Sequence, residues 1–471
     1  MDRRSFIGIA GAGLVAAAAT RKPNVLLIVA DDLGIGGVSC YNQEQARTPH
    51  IDSIAREGVR FTQGYASAAL CSPSRAGLIT GRYQQRFGHE FNMGSPIRDL
   101  DEGLGLPLSE VTLADVLKTA GYATAAIGKW HLGNLPKFHP NRRGYDEFFG
   151  FRAAMRSYIR PVTGDIVVGP FTKTDTLRDL NVFDSAAPIM RNETVVAEPE
   201  YTTRAFTREA LSFIERHKQH PFFLHLSYNA THVPLQAERK YYDRFGHVPD
   251  ENSRVYNAMC AEMDEGIGAI LAKLKDEGIE NDTIVIFTSD NGCPLYTNPK
   301  GNDPLKQGKS TYFEGGIRVP FLIKYPGHIN PGLVYRNPVI SLDIFPTVTT
   351  AARIHPRSKL DGVDLLPFLT AGKTAVPHEV LYWRAGSQHA IRYGNWKYYT
   401  AAPSMKRLYD LSEDEGEKKN FFSQRPDMVA KLDARWKSWN AALVQPVWKS
   451  ARTSSELENL SDDGEAFHVE Y

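Results

Sequence analysis

The chain has 471 residues, with 55 lysines and arginines against 54 aspartates and glutamates, so its formal net charge is +1 at pH 7. Charges of both signs are interspersed along the chain as far as a short acidic C-terminus, so the sequence predicts no nucleic-acid partner. The length allows a large buried core and predicts two domains, and four cysteines in so long a chain do not form a disulfide framework.

The first residues have the features of an export signal. Arg3 and Arg4 open a basic start, and an apolar, glycine- and alanine-rich run follows and ends at residues 16–19. This pattern predicts a signal peptide over residues 1–19 rather than a membrane helix. The paired arginines before Phe6 resemble a twin-arginine signal, with an ordinary secretory signal as the alternative. Either one predicts a periplasmic or secreted bacterial protein, and no later stretch is apolar enough to predict a membrane span.

Residues 23–30 form an uninterrupted apolar, β-branched run, which predicts a strand buried on both faces of a parallel sheet. The run ends on Asp31 and Asp32, at the carboxyl edge where open α/β sheets bind ligands. Two adjacent buried carboxylates repel each other, and each would hold a proton unless a cation compensates. The sequence therefore predicts a charged site at this strand end, with a solvated turn as the alternative.

A helix is predicted just after Cys71, since Pro73 suits a first turn, Leu78 can face a core and Gly81 can end the helix. Cys71 would then lie at a helix N-terminus, where free N–H groups and the helix dipole favour anions. Arg75 lies one turn further along the same face and is predicted to point back toward Cys71. The pattern indicates a reactive side chain presented to an anionic substrate. The alternative is a small buried cysteine at a tight turn.

Helical and strand patterns alternate around and beyond this helix. Helices are predicted at about 49–57, 112–120, 202–217 and 254–277, and strands at 122–128, 221–228 and 283–288. The polar residues that follow these strands are Lys129, His131, His232, Asp290 and Asn291. Because parallel strands end at one edge of a sheet, the alternation predicts one α/β domain with its site along that edge. Residues 152–197 lack clear periodicity and predict a long irregular insertion over the site.

The C-terminal part has a different pattern. Short strands with tight turns are predicted at 380–383, 390–393, 396–399 and 407–410, followed by a helix at 428–442. The predicted fold is therefore α/β, with a large, mixed, mostly parallel central sheet flanked by helices over residues 20–372. A smaller α+β subdomain is predicted over residues 373–471.

Residues 71–82 resemble the signature of the formylglycine-dependent sulfatases, Cys-x-Pro-Ser-Arg-x-x-x-x-Thr-Gly-Arg, without a gap. Residues 314–320, 343–347 and 408–411 resemble further landmarks of that family, so the resemblance covers nearly the whole mature chain. It implies an alkaline phosphatase-like fold and a sulfuric ester hydrolase similar to bacterial carbohydrate sulfatases. It also implies that Cys71 is converted to 3-oxoalanine (formylglycine) by a formylglycine-generating or sulfatase-maturating enzyme.

Oxygen donors at the strand ends predict a metal site. Asp31, Asp32, Asp290 and Asn291 offer hard oxygen ligands, which favour calcium or magnesium over zinc. The family resemblance favours one calcium ion and adds the modified Cys71 to the ligand set. A capping turn and a solvated aspartate pair are the alternatives.

The second predicted group is basic and comprises Arg75, Lys129, Lys309, His131 and His232. A divalent metal and three cations against three aspartates leave about +2 charges, which suits a sulfate ester. The resemblance implies that Arg75 and Lys129 stabilise the hydrated aldehyde and that Lys129 and Lys309 hold sulfate oxygens. It implies that His131 assists deprotonation of the hydrate and that His232 protonates the leaving oxygen, which suits a pKa near neutrality.

An aldehyde hydrate can attack sulfur with one hydroxyl and release sulfate after the other loses its proton, whereas a thiolate would leave an adduct with no easy exit. The predicted export and the insertion favour a sulfated carbohydrate as substrate. The candidate sugar contacts are His89, Arg98, Arg156, Arg160, Trp383, Arg384 and His389, with surface or core packing as the alternative for each. The rival functions are an arylsulfatase, a phosphate or phosphonate ester hydrolase of the same superfamily, and a catalytically inactive binding protein.

Overall fold

A computed structural model describes residues 22–43, 47–93, 103–162, 164–173, 184–185, 187–370, 374–402 and 405–449, and two short strands at 460–462 and 465–467. The predicted signal peptide, Arg98 and most of the acidic C-terminus lie outside these residues. Among the described residues, none of the helices combines the length and apolarity that crossing a bilayer requires.

Strands make up the centre of the molecule. In chain order they are β1 (Asn24–Ala30), β2 (Val59–Phe61), β3 (Gly64–Tyr65), β4 (Ala123–Lys129), β5 (Glu147–Phe151), β6 (Ile166–Val168), β7 (Met190–Arg191), β8 (Thr194–Val195), β9 (Phe222–Ser227), β10 (Gln236–Glu238), β11 (Thr283–Ser289), β12 (Phe321–Lys324), β13 (Leu333–Tyr335), β14 (Val339–Ile340), β15 (Val380–Ala385), β16 (Gln388–Tyr393), β17 (Trp396–Ala402), β18 (Met405–Asp410), β19 (Leu460–Asp462) and β20 (Glu465–Phe467).

The main sheet has ten strands in the order β13-β2-β12-β11-β1-β9-β4-β5-β7-β8. The central strands from β11 to β5 are all parallel, while β12 and β7 pair antiparallel at either side. All seven residues of β1 are buried, because helices cover both faces of the strand as its uninterrupted apolar run requires. The predicted mixed, mostly parallel sheet is confirmed.

Helices lie on both faces of this sheet. They are α1 (Pro49–Arg56), α2 (Cys71–Thr80), α3 (Leu113–Thr119), α4 (Thr202–His217), α5 (Arg239–Tyr242), α6 (Glu251–Asp276), α7 (Glu314–Ile317), α8 (Ile344–Ala351), α9 (Leu366–Leu369) and α10 (Pro426–Asn440). Leu26 and Ile28 of β1 face a core that includes residues of α1, α4 and α6. Val25 and Leu27 face a second core with α2, α3 and α8. The side chains alternate between two cores because successive strand residues point to opposite faces.

Local capping sets where the helices begin. Thr112 and Asp115 form a reciprocal capping box at the start of α3, as the predicted helix there requires. The helix predicted from residue 254 begins three residues earlier, at Glu251, because the Asp250 side chain accepts a hydrogen bond from the Ser253 N–H.

The C-terminal strands β15 to β18 form an antiparallel sheet of their own. One face packs under α10 through a small cluster that includes Tyr398 and Leu432. The other face contributes Trp383 and Tyr399 to a core shared with Tyr65 and other residues of the main domain. The predicted small α+β unit is therefore present, while its boundary near residue 372 stays a prediction.

The insertion at residues 152–197 is less irregular than predicted. Strand β6 pairs antiparallel with β10, and β7 and β8 extend the edge of the main sheet beyond β5. These strands have two or three residues each, which is too short to show a strand period in the sequence.

Candidate active site

The parallel strands β11, β1, β9 and β4 are neighbours and end at the same edge of the main sheet. Asp31 and Asp32 follow β1, Asp290 follows β11, and Lys129 is the last residue of β4. Helix α2 presents its first residue, Cys71, to the same edge, with its sulfur 3.7 Å from Asp32 Oδ1. The structure thus brings together residues that the sequence separates by more than 200 positions.

The backbone at this edge adopts uncommon conformations. Seven non-glycine residues among those described have φ angles in the left-handed region, and four of them lie near this edge: Asp32 at 62°, His131 at 56°, Gln307 at 60° and Ser310 at 76°. Such conformations are unfavourable for residues with a β-carbon and concentrate where function demands a particular side-chain placement. Their grouping around one strand edge marks that edge as a functional site.

Four potential ligands converge here, because Asp31, Asp32, Cys71 and His232 each place one ligand atom within 4.8 Å of the others. The amide oxygen of Asn291 is buried without a hydrogen-bond partner, and Asp31 Oδ1 accepts no hydrogen bond although Arg75 Nη2 lies 3.4 Å away. A buried anionic or amide oxygen that lacks a donor is costly, and a hard cation is the partner that such oxygens prefer. This donor set fits a calcium ion.

Asp290 is outside this group of four. Its Oδ1 accepts a hydrogen bond from the Asp32 N–H at 3.1 Å, and its Oδ2 lies 2.7 Å from Arg75 Nη2. Burial raises the pKa of Asp290 although Arg75 opposes that shift. In this structure Asp290 is the ion-pair partner of an arginine, and its role as a metal ligand stays a prediction.

Two lysines neutralise the aspartates. Lys129 Nζ lies 2.6 Å from Asp31 Oδ2, and Lys309 Nζ lies 2.7 and 2.8 Å from the two oxygens of Asp32. Burial by itself would raise the pKa of Asp31, but Lys129, with smaller contributions from other cations, lowers it to about 2. Lys309 likewise holds the pKa of Asp32 below its usual value against the effect of burial. Both carboxylates are therefore ionised at neutral pH.

Arg75 is directed differently from the prediction. Within the described part of the chain, its guanidinium donates to Asp290, to the Ser227 hydroxyl at 2.5 Å and to the Lys129 carbonyl at 3.3 Å, rather than pointing back to Cys71. Its side chain is long enough to cross from α2 to the strand ends, where aspartates compete for it. Ser227 ends β9, and sequence reasoning gave it no role because nothing in a strand-ending serine distinguishes it.

The Cys71 side chain is protonated as a free thiol. Burial raises the pKa of Cys71, and Lys129 and Lys309 oppose this only in part. Its sulfur is 3.2 Å from Lys309 Nζ. Since the thiolate is the nucleophilic form of cysteine, the unmodified residue is a poor nucleophile here.

His131 is neutral, since burial and then Lys129 lower its pKa well below the usual range. One ring nitrogen, Nε2, lies 3.1 Å from the Met93 carbonyl, and the other, Nδ1, is buried without a hydrogen-bond partner. The carbonyl partner assigns the proton to Nε2. Nδ1 is therefore an available base.

His232 is also neutral, because burial and then Lys309 lower its pKa. Its Nδ1 lies 2.7 Å from the Val233 carbonyl and is assigned the proton for that reason. Its Nε2 faces Asp32 Oδ2 at 3.6 Å. The free lone pair of His232 is thus directed into the charged site.

Two tyrosines that sequence reasoning missed support this site. Tyr158, from the insertion, donates to the His232 carbonyl at 2.9 Å and to the Asn229 carbonyl. Tyr256 of α6 donates to the Asp32 carbonyl at 3.1 Å. No signal in the sequence singles them out, because their partners are backbone groups of distant segments.

Three of the candidate sugar contacts are packed in the core. Trp383 is fully buried and donates from its indole to the Ala66 carbonyl, and Arg384 forms a buried ion pair with Glu90. His89 is also fully buried. For these three residues the structure shows the alternative, core packing, because residues from elsewhere in the chain enclose each side chain, and a sugar contact stays a prediction.

The other candidate sugar contacts are engaged as well. His389 stacks on Trp436 at 3.8 Å between ring centres, Arg156 donates to the carbonyls of Asp184 and Ala187, and Arg160 pairs with the Asp184 carboxylate. Arg98 lies outside the described residues.

Comparison with known proteins agrees with this geometry. The family model described as Sulfatase matches residues 23–354, and the model for the C-terminal part of N-sulphoglucosamine sulphohydrolase matches residues 307–440. N-acetylgalactosamine-6-sulfatase of Rattus norvegicus is 35% identical over 402 residues, which are 82% of this chain and 72% of that protein. Arylsulfatase A of Homo sapiens is 34% identical and covers 88% of this chain and 86% of its own length.

Solved structures give the same picture. The structure of Ps i-CgsB in complex with k-i-k-neocarrahexaose is 32% identical, with a TM-score of 0.81, and covers 91% of this chain and 95% of its own. The phosphonate monoester hydrolase of Agrobacterium radiobacter shares the fold with a TM-score of 0.65 at 22% identity, covering 89% of this chain and 95% of its own.

Proposed function

Because the chain belongs to the sulfatase family, we propose that it removes sulfate from a sulfated carbohydrate through an aldehyde formed from Cys71. The observation that carries the proposal is the convergence of Asp31, Asp32, Cys71 and His232 within 4.8 Å, at the N-terminus of α2. A buried thiol among carboxylates and lysines has no evident structural use, whereas an aldehyde hydrate there offers a nucleophilic hydroxyl beside cationic groups.

A calcium ion is the proposed cofactor. The proposed ligands are Asp31, Asp32, the modified Cys71, Asp290 and Asn291. The buried oxygens of Asp31 and Asn291 that accept no hydrogen bond support this set. When bound, the ion would neutralise the carboxylates and stabilise negative charge on the sulfate ester.

The side chains of this chain supply the remaining chemistry. Lys129 and Lys309 hold sulfate oxygens, and Arg75 and Lys129 stabilise the hydrated aldehyde. One hydroxyl of the hydrate would attack sulfur as the bond from sulfur to the leaving oxygen breaks. His232 Nε2, which presents a lone pair in the resting protein, would first take up a proton from solvent and then donate it to the leaving oxygen, which completes the alcohol. His131 removes a proton from the hydrate. When the second hydroxyl is deprotonated, the bond between carbon and the sulfate oxygen breaks, and sulfate leaves as the aldehyde re-forms.

The substrate class is supported by the relatives. A structure at 32% identity was solved with neocarrahexaose, and the first relative named above is an N-acetylgalactosamine-6-sulfatase. Similarity to arylsulfatase A favours an arylsulfatase as the second candidate. The phosphonate monoester hydrolase shares the fold alone and gives that rival less support.

Export and maturation belong to the same proposal. The basic N-terminus and the apolar run after it support a periplasmic or secreted location. Conversion of Cys71 requires a formylglycine-generating or sulfatase-maturating enzyme in the producing cell.

Substitution of Cys71 tests the reaction. We expect Cys71→Ala to lose all measurable release of sulfate from a sulfated sugar while its thermal midpoint stays close to that of the wild type. Cys260→Ala is the matched control, since Cys260 is a buried free cysteine of α6 whose thiol contacts the Gly37 carbonyl. Full activity of Cys71→Ala, or an unmodified thiol at position 71 in fully active protein by peptide mass mapping, would overturn the mechanism.

A substrate panel tests the specificity. Sulfated galactose and N-acetylgalactosamine, 4-nitrophenyl sulfate and a phosphonate monoester should rank in that order of kcat/KM. A preference for the aryl ester would establish the arylsulfatase instead.

A further inference from the structure

His89 is a buried histidine that the proposed chemistry does not use. Its side chain is fully buried, and its Nε2 lies 2.5 Å from the hydroxyl of Ser72, the residue that directly follows Cys71. Burial lowers the pKa of His89 to about 3, so the ring is neutral at working pH. Nδ1 has no hydrogen-bond partner, and an unpaired acceptor is less costly than an unpaired N–H, which assigns the proton to Nε2.

The contact with Ser72 matters because α2 lacks an ordinary N-cap. The capping position is Leu70, whose apolar side chain accepts no hydrogen bond from the first turn. The Ser72 N–H instead donates to Asn92 Oδ1 at 2.9 Å. The backbone and the hydroxyl of Ser72 are therefore both held by one segment, residues 89–92, which follows α2 in the chain.

The C-terminal part of the chain holds this segment in turn. The Trp448 ring packs edge-to-face on His89 with 4.6 Å between ring centres, and its indole donates to the Phe91 carbonyl at 3.2 Å. The Val447 N–H donates to the Gly88 carbonyl at 3.0 Å. His89 is thus fixed from one side by Trp448 and acts on Ser72 from the other.

We propose that His89 is a positioning residue, which holds Ser72 and thereby directs the Cys71 side chain toward Lys309 and Asp32. The proposal rests on the proposed function only in taking Cys71 as the residue that reacts. Cys71 Sγ is 3.2 Å from Lys309 Nζ and 3.7 Å from Asp32 Oδ1. Only a small range of positions keeps the side chain in contact with both groups. Displacement of a reacting group by about 1 Å can cost roughly 10²-fold in rate.

Kinetics of His89→Leu, His89→Gln, Ser72→Ala and the double variant His89→Leu/Ser72→Ala test this role. The measured quantities are kcat and KM on 4-nitrophenyl sulfate. If the wild type hydrolyses a sulfated monosaccharide of the panel faster than this aryl ester, that monosaccharide is the substrate instead. Each rate is divided by the fraction of chains that carry the aldehyde, determined by peptide mass mapping, so that poor maturation is not mistaken for poor positioning.

We expect His89→Leu and Ser72→Ala each to lower kcat by roughly 10²-fold with KM changed less than about twofold. The double variant should be no slower than either single variant, because both remove the same contact. Glutamine can place an amide near the position of Nε2, so His89→Gln should recover most of the lost kcat.

The control is His328→Leu, which removes a histidine stacked on another aromatic ring, Tyr325, outside the segment that holds α2. It should keep the wild-type kcat. Should His89→Leu fail to fold, Ser72→Ala and His89→Gln still decide the question.

Wild-type kcat in Ser72→Ala or His89→Leu would overturn the proposal, as would losses that multiply in the double variant, or no recovery in His89→Gln. If Cys71→Ala is inactive and His89→Leu is fully active, the positioning role of His89 is disproved and the proposed function stands. If Cys71→Ala is active, the proposed function itself is disproved.

Discussion

Two buried charge clusters can be compared within this molecule. The catalytic cluster comprises Asp31, Asp32, Asp290, Asn291, Arg75, Lys129 and Lys309, and the interface cluster comprises Glu314, Glu417, Lys397, Tyr65 and Arg392 between the main domain and the C-terminal sheet. Both clusters bury at least two carboxylates and a lysine almost completely. Burial of charge therefore does not by itself distinguish a functional site from a structural one.

The clusters differ in how their oxygens are satisfied. Lys397 Nζ lies 2.9 Å from an oxygen of Glu314 and 2.9 Å from one of Glu417. The remaining oxygen of each carboxylate accepts at 2.6 Å, from the Tyr65 hydroxyl for Glu314 and from the Glu314 N–H for Glu417. The oxygen of Glu417 that faces Lys397 has no hydrogen bond besides this ion pair. In the catalytic cluster, Asp31 Oδ1 has only a longer ion-pair contact of 3.4 Å with Arg75 Nη2, and the amide oxygen of Asn291 has no hydrogen-bond partner. Open acceptors, more than buried charges, indicate a place for a cation.

The strongest test of this difference removes the interface lysine. Lys397→Met removes the ammonium that the two buried carboxylates share, although Arg318 stays 3.7 Å from Glu314. Breaking a buried ion pair in this way costs about 3–5 kcal/mol of unfolding free energy. We expect a loss of that order in urea unfolding, with kcat at 25 °C unchanged for the folded fraction. A drop in kcat larger than the drop in folded fraction would show that the two clusters are coupled.

The reciprocal substitution is Lys309→Met. Its ammonium contacts both oxygens of Asp32 and the Cys71 sulfur, where a sulfate ester would be bound. Removal of one preorganised cationic donor should lower kcat by about 10²–10³-fold. Sulfate release measured under saturating substrate checks this, and a variant with more than a tenth of wild-type kcat would contradict the assignment.

Calcium should distinguish the clusters by stability. An ion that binds only the folded state stabilises it by about 2.7 kcal/mol at 100 times its dissociation constant. We expect the thermal midpoint of protein treated with a chelator to rise when calcium is added back. Lys397→Met should keep this rise, whereas Asp31→Asn should lose most of it. An equal rise in both variants would place the ion elsewhere.

The smallest expected effect concerns pH and the interface cluster. Burial raises the pKa of Glu417 to about 7 from its ordinary 4.5, although Lys397 opposes the shift. Between these values the folded chain retains a proton that the unfolded chain has released, so stability falls as pH rises through this window. Burial also raises the pKa of Asp264 to about 7 and that of Glu262 to about 8, so both add to this fall. Glu417→Gln should therefore make the fall smaller without abolishing it, as measured by urea unfolding at pH 5 and pH 7.5. The same dependence in the variant would contradict the raised pKa.

Acid acts on the catalytic cluster with the opposite sign. The pKa of Asp31 is lowered to about 2 from 3.8, against burial, chiefly by Lys129. The stability that Asp31 contributes is therefore present above pH 3.8 and is lost as pH falls toward 2. The interval between pH 5 and pH 7.5 thus reports on Glu417 without interference from Asp31.

The sequence by itself determined those features that depend on neighbouring residues. The apolar run at residues 23–30 became β1 within one residue, because a stretch with no polar face must be buried on both sides. The boundaries of α2 were also local. Pro73 lies in its first turn, and Gly81 ends it with a φ of 65°, a conformation that glycine adopts without cost.

Local patterns also predicted that the residues of the candidate site lie together, since parallel strands with polar ends meet at one edge of the sheet. The pattern could not give the partner of each charge. Arg75 binds Asp290, which is 215 positions away, although Cys71 is only one turn away.

Only the tertiary structure decided which partners the long side chains reach and which candidate sugar contacts are buried. Arg384 pairs with Glu90 across 294 positions, and His89 meets Ser72 because Trp448 closes over it. A hydrogen bond or ion pair depends on distances of a few ångströms between segments, and sequence periodicity carries no information about such distances. For this reason the sequence predicted which residues meet at the strand edge, while the fold determined which partner each of them has there.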